Sequence, residues 1–405
     1  MTYLNKRCFW CFIIVVCLLV VDVFGQSFFN QGVYDGKKMF FLFKNFPVEN
    51  MDKINCVMLE KQVRPASWPD RIPFGLCIDK KNKKIHYLYY GSFFTKEVRT
   101  IELGSESSPE DVSVDKKGFF YVTDSKINKV FCYRLQKDLK KVELENEIYV
   151  EKPSCIEVGP KDRLYVLSGK NQMVVFDKKD DKYTRLPKVE SELRKTLKDK
   201  EIQDISISKK YINILVGAEL FVFNRVGRLV LHKGLKRKKG YGALENTIYG
   251  DVLVLNSDFK IIEKYSKQLE YLTEYDFSND FKAVALDMTV YDSYGYVAIC
   301  SNTKGIYYGL GVQVDDLKFF RRKNNKYSEV NLKITFPSFV DITILDKNKR
   351  EIKKVSNRRP MKSGSHVVVC RGLSLDSVGY AKIEVEPRYS IVNKVTKTIS
   401  FLQVN

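Results

Sequence analysis

Two aspartates at equivalent places in a weak internal repeat are the first candidates for binding chemistry. Asp111 and Asp204 each stand directly before an apolar residue at the start of a predicted strand. In a ring of repeats they would lie two units apart near the axis, where paired carboxylates could hold a cation or an amine. Residues in such places also accept hydrogen bonds from strand-end amides, and we favour that structural role. We expect no cofactor; Ca²⁺ at this pair is the one exception, and nothing else in the sequence supports it.

Small polar side chains recur where the second predicted strand of a repeat ends. In a ring, these positions converge with the strand starts on one face, and ligands commonly bind where such loops meet in a concavity. Trp68, Arg71 and Phe74 lead into this mouth, and aromatic rings with a guanidinium suit a planar ligand through stacking and cation–π contact. The ligand-binding residues that we predict are Trp68, Arg71, Phe74, Asp111, Asp124, Ser168, Asp204, Asn256 and Asn302.

Lysines recur at the turn after the first predicted strand in four consecutive repeats. Because equivalent loops of a ring lie on one face, this spacing would gather the lysines on a single rim, opposite the mouth. Lysine is also common in solvated turns, and that alternative stays open. The predicted basic rim consists of Lys80, Lys81, Lys83, Lys84, Lys116, Lys117, Lys161, Lys209 and Lys210.

The elements that must position these residues are short strands that repeat roughly every 36–49 residues, a period typical of propeller blades. In the clearest copy, Pro109–Tyr133, apolar residues alternate in successive strands around a tight turn at Asp115–Gly118. Six such units predict an all-β fold, a six-bladed β-propeller. A pair of β-sandwiches with accidental similarity is the alternative.

The copy Pro109–Tyr133 resembles the NHL-repeat and SMP-30/regucalcin-like propellers. Cys77–Asp79 followed by Ile85–Ser92 resembles the insect ommochrome-binding proteins, which are secreted. The SMP-30 resemblance implies a lactonase that binds a divalent metal through a glutamate early in the first blade, an asparagine and an aspartate. Gly75 stands where the acidic residue is expected, and the full set cannot be assembled. No G-x-S-x-G motif occurs, so an enzyme is the less favoured interpretation.

Two further regions flank the repeat. Beyond the charged linker Arg321–Lys326, short alternating segments such as Val330–Phe336 predict a small immunoglobulin-like β-sandwich. Before the repeat, Met39–Phe43 predicts a strand that closes the ring or covers its edge. The predicted domains are a signal peptide at residues 1–25, the propeller at residues 26–319 and the C-terminal sandwich at residues 320–405.

The first residues have the pattern of a secretory signal peptide. Lys6 and Arg7 precede an apolar run that Asp22 ends, well short of the about 20 residues that span a bilayer. Cleavage after Gly25 would give a secreted, extracellular protein without a transmembrane segment. It would also leave an even number of cysteines, which favours disulfides in an oxidising compartment without deciding their pairing. These cysteines are Cys56, Cys77, Cys132, Cys155, Cys300 and Cys370.

The 405 residues have a formal net charge of +20 and a hydrophobic content of 44%, as expected for a basic globular protein. Secretion and the lack of a phosphate-binding glycine loop argue against a nucleic-acid partner. The leading hypothesis is a secreted, non-enzymatic binding protein that carries a small, aromatic or pigment-like ligand at the mouth. The alternatives are an extracellular polyanion-binding or adhesion scaffold that uses the basic rim, and a metal-dependent lactonase or esterase.

Overall fold

In the residues that a computed structural model describes, the chain forms β-structure and one α-helix. The described residues are 39–43, 51–57, 74–90, 96–136, 141–179, 182–279, 285–291, 296–301, 305–322, 327–374, 377–388 and 394–404. The predicted signal peptide, Trp68, Arg71 and Asn302 lie outside these ranges. No helix within them is long and apolar enough to cross a membrane.

Six four-stranded antiparallel sheets follow one another along the chain, and the first strand, β1 (Met39–Phe43), belongs to the last of them. Sheet 1 contains β2 (Lys53–Val57), β3 (Phe74–Asp79), β4 (Lys84–Tyr90) and β5 (Lys96–Glu102). Sheet 2 contains β6 (Pro109–Val114), β7 (Phe119–Asp124), β8 (Lys129–Leu135) and β9 (Val142–Tyr149). Sheet 3 contains β10 (Pro153–Val158), β11 (Leu164–Ser168), β12 (Gln172–Lys179) and β13 (Lys182–Arg185).

The remaining three sheets repeat this arrangement. Sheet 4 contains β14 (Asp204–Ile207), β15 (Tyr211–Val216), β16 (Glu219–Asn224) and β17 (Leu229–Gly234). Sheet 5 contains β18 (Tyr241–Asn246), β19 (Val252–Asn256), β20 (Ile261–Tyr265) and β21 (Tyr271–Asp276). Sheet 6 contains β22 (Ala285–Tyr291), β23 (Tyr296–Ser301) and β24 (Gly305–Leu310), and β1 pairs with β24 as its fourth strand.

The first strand of each sheet lies innermost, and these six strands form a closed ring. The strands β2, β6, β10, β14, β18 and β22 contact one another in that order, and β22 contacts β2. Apolar side chains fill the space between neighbouring sheets; Phe74 of sheet 1, for example, packs in one cluster with Phe120 and Val122 of sheet 2. The fold is therefore all-β and propeller-like, with a central axis.

Tight turns join many of the strands. The turn at Asp115–Gly118, between β6 and β7, shows how the sequence produces one. Asp115 Oδ1 accepts hydrogen bonds from the amides of Lys117 and Phe119, both at 2.9 Å. Gly118 has a φ of 82°, a conformation that favours glycine. The Asp-x-x-Gly sequence therefore reverses the chain between β6 and β7 as predicted.

The first repeat has a different register from the predicted one, in which the turn at Lys80–Lys84 follows the first strand, Phe74–Asp79. In the structure β2 is innermost and β3 is second. The turn at Lys80–Lys83 consequently joins a second strand to a third strand, not a first strand to a second. β2 escaped prediction because residues 58–73 separate it from β3, so no short turn marks the pair.

One helix, α1 (Pro187–Leu197), lies between sheets 3 and 4. Pro187 stands in its first turn, where the missing N–H has no helical partner in any case. Val189, Leu193 and Leu197 recur every fourth residue, and all three are buried in the cluster that fills the space between sheets 3 and 4. The helix thus covers apolar side chains between two sheets.

A seven-stranded sheet follows the ring. Its strands are β25 (Val314–Arg322), β26 (Ser328–Ile334), β27 (Ser338–Asp346), β28 (Glu351–Met361), β29 (Gly364–Cys370), β30 (Val378–Pro387) and β31 (Val395–Val404). Their order is β28-β27-β30-β31-β25-β26-β29, with β25 and β31 parallel. The sheet begins at Val314, before the predicted boundary at residue 320.

The seven-stranded sheet is joined to sheet 5 by buried polar contacts. The Lys264 ammonium is fully buried, 3.3 Å from Asp251 Oδ2 and 3.3 Å from the centre of the Phe336 ring. The Ser363 hydroxyl donates to Asp251 Oδ1 at 2.5 Å. Apolar residues of both units also share one hydrophobic cluster. The two units therefore pack through a common core.

Cys132, Cys155, Cys300 and Cys370 do not form the predicted disulfides. All four are buried thiols. They lie in β8, β10, β23 and β29, each in a different sheet, whereas a disulfide requires Cβ atoms about 3.8 Å apart. Burial raises the pKa of all four thiols. These cysteines behave as small apolar core residues.

Candidate functional site

The six innermost strands line a narrow channel with two levels of side chains. Residues two apart in a strand point to the same side, so each strand contributes one side chain to each level. The upper level consists of Lys53, Asp111, Cys155, Asp204, Ala243 and Asp287. The lower level consists of Asn55, Ser113, Glu157, Ser206, Glu245 and Thr289. Sheets 2, 4 and 6 each supply an aspartate above a serine or threonine, which gives the channel an approximate threefold pattern.

The three aspartates connect neighbouring sheets. Asp111 Oδ2 accepts a hydrogen bond from the Ile156 amide at 2.8 Å, and Asp204 Oδ2 accepts one from the Leu244 amide at 2.6 Å. Asp287 accepts one from Ile54 in the same way, at 2.9 Å. Each aspartate therefore binds the innermost strand of the next sheet. Asp111 and Asp204 thus have a structural role, but their partners are buried amides inside neighbouring strands and not the strand-end amides that were expected.

Lys53 supplies the positive charge that these carboxylates require. Its ammonium lies 3.6 Å from Asp287 Oδ1, and only 19% of its side chain is exposed. Burial alone would disfavour the charged ammonium, but the carboxylates of Asp287, Asp111 and Asp204 outweigh burial and raise the pKa of Lys53 well above its usual value. The amine that the aspartate pair was expected to attract is thus a side chain of the protein itself.

Burial disfavours the charged form of some of the carboxylates near Lys53. Burial raises the pKa of Asp204 to about 7, although Lys53 acts in the opposite direction. Burial also raises the pKa of Asp287, with the same opposing effect from Lys53. One ammonium therefore stabilises a group of buried carboxyls without neutralising every one of them.

Two glutamates face the channel at the lower level. Ser113 Oγ donates to Glu157 at 3.2 Å, and Ser206 Oγ donates to Glu245 at 3.1 Å. Burial, followed by the charge of Glu245, raises the pKa of Glu157 well above its usual value. Burial raises the pKa of Glu245 to about 8. Both groups therefore hold a proton more readily than an exposed glutamate does.

The free space in the channel is about 20 Å³, lined by residues such as Lys53, Asp111 and Glu157. One water molecule needs about 10–15 Å³ measured in this way, so the space suits a single water. A divalent metal at the upper level would have to share the aspartates with the Lys53 ammonium, and the two positive charges would repel each other. The residues present therefore do not fit a metal such as Ca²⁺ there.

The structure brings Asp111 and Asp204 together in the channel but distributes the other predicted ligand residues. Phe74 is fully buried between sheets 1 and 2. Asp124, at the end of β7, accepts hydrogen bonds from the Ser107 hydroxyl and the Ser108 amide. Ser168 donates to the Glu151 carbonyl, and Asn256 accepts from the Phe259 amide. A ligand role for these residues and for Trp68, Arg71 and Asn302 stays a prediction.

The predicted basic rim is divided between the two faces of the ring. The upper face, where the innermost strands begin, carries Lys80, Lys81, Lys83 and Lys84, because their turn follows a second strand. Lys80 lies 2.8 Å from Glu110 at the start of β6, which confirms this position. The lower face, where the innermost strands end, carries Lys116, Lys117, Lys161, Lys209 and Lys210. The single rim was wrong because the first repeat was placed one strand out of register.

The two faces differ in how their lysines are paired. On the upper face, lysines form ion pairs with nearby carboxylates, namely Lys80–Glu110, Lys84–Glu102, Lys126–Glu106, Lys170–Glu201 and Lys200–Glu219. On the lower face, Lys117 pairs with Asp162. No carboxylate lies within ion-pair distance of Lys116, Lys161, Lys209, Lys210 or Lys267 among the residues that the structure describes. The lower face therefore carries five lysines without an ion-pair partner among the described residues, although Lys81 and Lys239 of the upper face also lack one.

Charge accumulates on the lower face close to the seven-stranded sheet. Lys362 lies near Lys267, and its charge lowers the pKa of Lys267, with burial and Lys210 acting in the same direction. Such mutual repulsion is relieved when an anion binds. The lower face is therefore a candidate anion-binding surface that spans several sheets.

Sequence reasoning missed Lys53, Asp287, Glu157 and Glu245 as channel residues. A signal for them was present in the three triplets Asp111-Val-Ser, Asp204-Ile-Ser and Asp287-Met-Thr. These triplets stand in alternate repeats and share an acidic, an apolar and a hydroxyl residue. Aligning the repeats on them would have assigned Asp287 to the channel.

No family model matches the chain, and no curated protein matches it. Among solved structures, a streptogramin B lyase is 11% identical, with a TM-score of 0.46 over 67% of this chain and 98% of the lyase. PorZ, a surface component of the type-IX secretion system of Porphyromonas gingivalis, is 11% identical, with a TM-score of 0.47 over 86% of this chain and 51% of PorZ. A gluconolactonase from Xanthomonas campestris is 8% identical, with a TM-score of 0.45 over 67% of this chain and 89% of that chain. The class that we assign, an all-β protein with a propeller-like fold, rests on the sheet order and the closed ring described above.

Proposed function

We propose that the protein is a secreted, non-enzymatic binding protein whose lower face binds an extracellular polyanion. The observation that carries this proposal is the contrast between the faces. Several lysines of the upper face are paired with carboxylates, with exposed Lys81 and Lys239 as exceptions, whereas Lys161, Lys209 and Lys210 of the lower face have no such partner among the described residues. A rigid surface of uncompensated positive charge attracts an anionic polymer and raises its rate of association.

The channel supports binding on a face in preference to binding at the axis. Ligands of ring-shaped folds commonly enter the central concavity, but here Lys53 and the carboxylates that surround it occupy that space. The remaining 20 Å³ is too small for an aromatic ligand or a lactone. A carrier of a small pigment-like ligand therefore stays a prediction that depends on Trp68 and Arg71, and the lactonase is disfavoured.

A polysaccharide with sulfate or carboxylate groups is the polyanion that the lower face fits best. Arg225 is half-buried between two turns of this face, where a projecting anionic group can reach it and a flat bilayer cannot. Val226 and Ile248 project from the same face, with 55% and 60% of their surface exposed, and an anionic membrane would engage them. Vesicle binding is therefore a necessary comparison in the test.

The proposal also includes the finer architecture. We take the six sheets as the blades of a six-bladed propeller and the seven-stranded sheet as an immunoglobulin-like sandwich. The closed ring of innermost strands supports six blades. Residues from both halves of the seven-stranded sheet, such as Val330 and Ile383, share one core, as two facing layers would.

Retention on immobilised heparin, eluted with increasing salt, tests the proposed function. The double variant K209E/K210E reverses two charges on the lower face. The matched control K81E/K239E makes the same change in net charge on the upper face, where both lysines are exposed. We expect the lower-face variant to elute at clearly lower salt than the control. Equal elution of the two variants would show that net charge alone is responsible, and binding to anionic vesicles without binding to heparin would overturn the choice of a polysaccharide.

A further inference from the structure

Arg225 occupies a gap between two turns of the lower face. It follows β16, and its guanidinium lies 3.4 Å from the carbonyl oxygen of Pro160 and 3.4 Å from that of Ser208. These carbonyls belong to the turns after the innermost strands of sheets 3 and 4. The residues that follow them are Lys161 and Lys209. Arg225 thus stands between two exposed lysines, half-buried below the turns.

A glycine makes room for the Arg225 guanidinium. A Cβ atom at Gly159 would lie 3.0 Å from both terminal nitrogens of Arg225 and 3.0 Å from Ile207 Cγ2. That spacing is tighter than ordinary packing, so any larger residue would press on the guanidinium. The φ of Gly159 is −92°, an ordinary value, and its backbone conformation does not require glycine. The absence of a side chain at Gly159 therefore leaves room for the Arg225 guanidinium.

The charge of Arg225 is not compensated by a carboxylate. Asp177, whose charge acts on Arg225 from beyond ion-pair distance, binds Arg163 through two hydrogen bonds of 2.5 and 3.1 Å. No carboxylate lies within 4.0 Å of Arg225 in the part of the chain that the structure describes. A guanidinium has five N–H donors, and only two long contacts to carbonyls use them here. Burial lowers the pKa of Arg225, and Arg163 acts in the same direction.

A buried polar group lies beside the guanidinium. Arg225 stacks over the ring of Tyr165, with 5.2 Å between the guanidinium carbon and the ring centre. Tyr165 is fully buried, and its hydroxyl lies near the Arg163 guanidinium but has no well-aligned hydrogen bond. Buried hydroxyls are normally satisfied, and an unsatisfied one beside an unpaired cation marks a place where a ligand atom or a water completes the site.

We propose that Arg225, with Tyr165 and the flanking Lys161 and Lys209, forms a recessed subsite for a single oxyanion group. The inference rests on the proposed function and specifies it: the group is a sulfate or carboxylate that projects from the polyanion. The planar fork of a guanidinium binds two oxygens of such a group, which a lysine cannot do. The surface lysines attract the polymer, and Arg225 selects an anionic group that can enter the gap.

Binding of a defined heparin oligosaccharide, measured by titration calorimetry, tests the subsite. We expect R225Q to weaken binding about tenfold, as the loss of one charged hydrogen-bonding group does. R225K retains the charge without the fork and should restore binding only in part. The matched control R228Q removes an exposed arginine from the same turn and should have little effect. G159A should weaken binding in the same direction as R225Q.

A measurement on the unmodified protein avoids dependence on how variants fold. Phenylglyoxal modifies accessible arginines, and mass spectrometry then locates the modified residues. We expect the heparin oligosaccharide to protect Arg225 and to leave Arg228 reactive. Inorganic sulfate at high concentration should give weaker protection of the same residue, and protection by anionic vesicles instead would assign the site to a lipid headgroup and overturn the polymer.

The outcomes separate the subsite from the wider proposal. If R225Q and R228Q bind the oligosaccharide equally while K209E/K210E fails to bind, the lower face binds polyanions without this subsite. If the unmodified protein does not bind heparin at all, the proposed function falls. Protection of Arg228 and Arg225 alike would show nonspecific coverage and would also overturn the subsite.

Discussion

The ammonium nitrogen of Lys53 lies 3.6 Å from Oδ1 of Asp287, so the first residue of sheet 1 is held by the innermost strand of sheet 6. The amide of the next residue, Ile54, donates to the other oxygen of the same carboxylate. Two adjacent groups of β2 therefore bind one aspartate across the point where the ring closes. This contact joins sheet 6 to sheet 1, and the Lys53 side chain also fills part of the ring's axis.

Replacing Lys53 should destabilise the protein strongly. K53M leaves several buried carboxyls without a counter-charge, and breaking a buried ion pair by removing one partner costs about 3–5 kcal/mol. The free energy of unfolding, measured with urea, should fall by that order. K81M, which removes an exposed lysine, is the control and should change it by less than about 0.5 kcal/mol. The double variant K53M/D287N should recover part of the loss, and an effect of K53M as small as that of K81M would contradict the role of Lys53.

Stability should fall as pH rises towards 8. Burial raises the folded-state pKa of Asp204 to about 7 and of Glu245 to about 8. A carboxyl with a raised folded pKa contributes stability that is present below its unfolded pKa, about 4, and is lost as pH rises through the folded value. The free energy of unfolding measured at pH 5, 6.5 and 8 should therefore decrease across this series.

The variant E245Q provides the control for this pH dependence. Glutamine cannot ionise, so the decrease between pH 5 and pH 8 should be smaller in E245Q than in the unmodified protein. The two proteins should differ least at pH 5, where Glu245 is already protonated. Parallel curves for the two proteins would assign the pH dependence to other groups.

The buried thiols should be unreactive in the folded protein. Cys132, Cys155, Cys300 and Cys370 are buried, and burial raises the pKa of each, so the reactive thiolate is scarce and inaccessible. Alkylation followed by mass spectrometry, without a reductant, should leave them unmodified in buffer and modify all four in denaturant. Failure to label them in denaturant would reveal disulfides and contradict the structure.

The basic run Lys236–Lys239 should resist trypsin although it is on the surface. Arg237 binds Glu263 at 2.5 Å and Glu274 at 3.2 Å, and its amide donates to the Tyr241 hydroxyl at 2.8 Å. A protease needs the segment to open, and these contacts oppose opening. E263Q should speed cleavage after Arg237, as early fragments in mass spectra would show. E106Q, an exposed change on the same face, should not, and rapid cleavage of the unmodified protein at Arg237 would disprove the anchoring.

The spacing of apolar residues and turns in the repeat predicted the local parts of the fold well. Val112 and Val114 alternate in β6, and the Asp115–Gly118 turn lies where it was placed. β2 was missed because its partner in the sheet lies beyond residues 58–73, and pairing over such a distance leaves no local pattern. That single omission reversed the face assigned to Lys80 and its neighbours.

The site was less accessible to prediction than the fold. Asp111 and Asp204 were correctly placed near the axis, but their counter-ion, Lys53, comes from the strand that was missed. Arg225 stands in an ordinary turn, and its environment depends on contacts with Gly159, Pro160 and Ser208 in two other turns. Environments of this kind arise from packing between sheets. The alternation of apolar and polar residues within one strand does not predict such contacts.

The pairing of β1 with β24 has a consequence for the order of events during biosynthesis. Met39 lies opposite Leu310, so the segment made first must wait for one made much later before it can enter a sheet. At about 5–20 residues per second, translation of the intervening chain takes on the order of tens of seconds. Throughout that interval the β1 segment, Met-Phe-Phe-Leu-Phe, lacks its partner and is a natural target for chaperones. Completion of the ring is therefore a late step, and a nascent chain that lacks β24 cannot take the final fold.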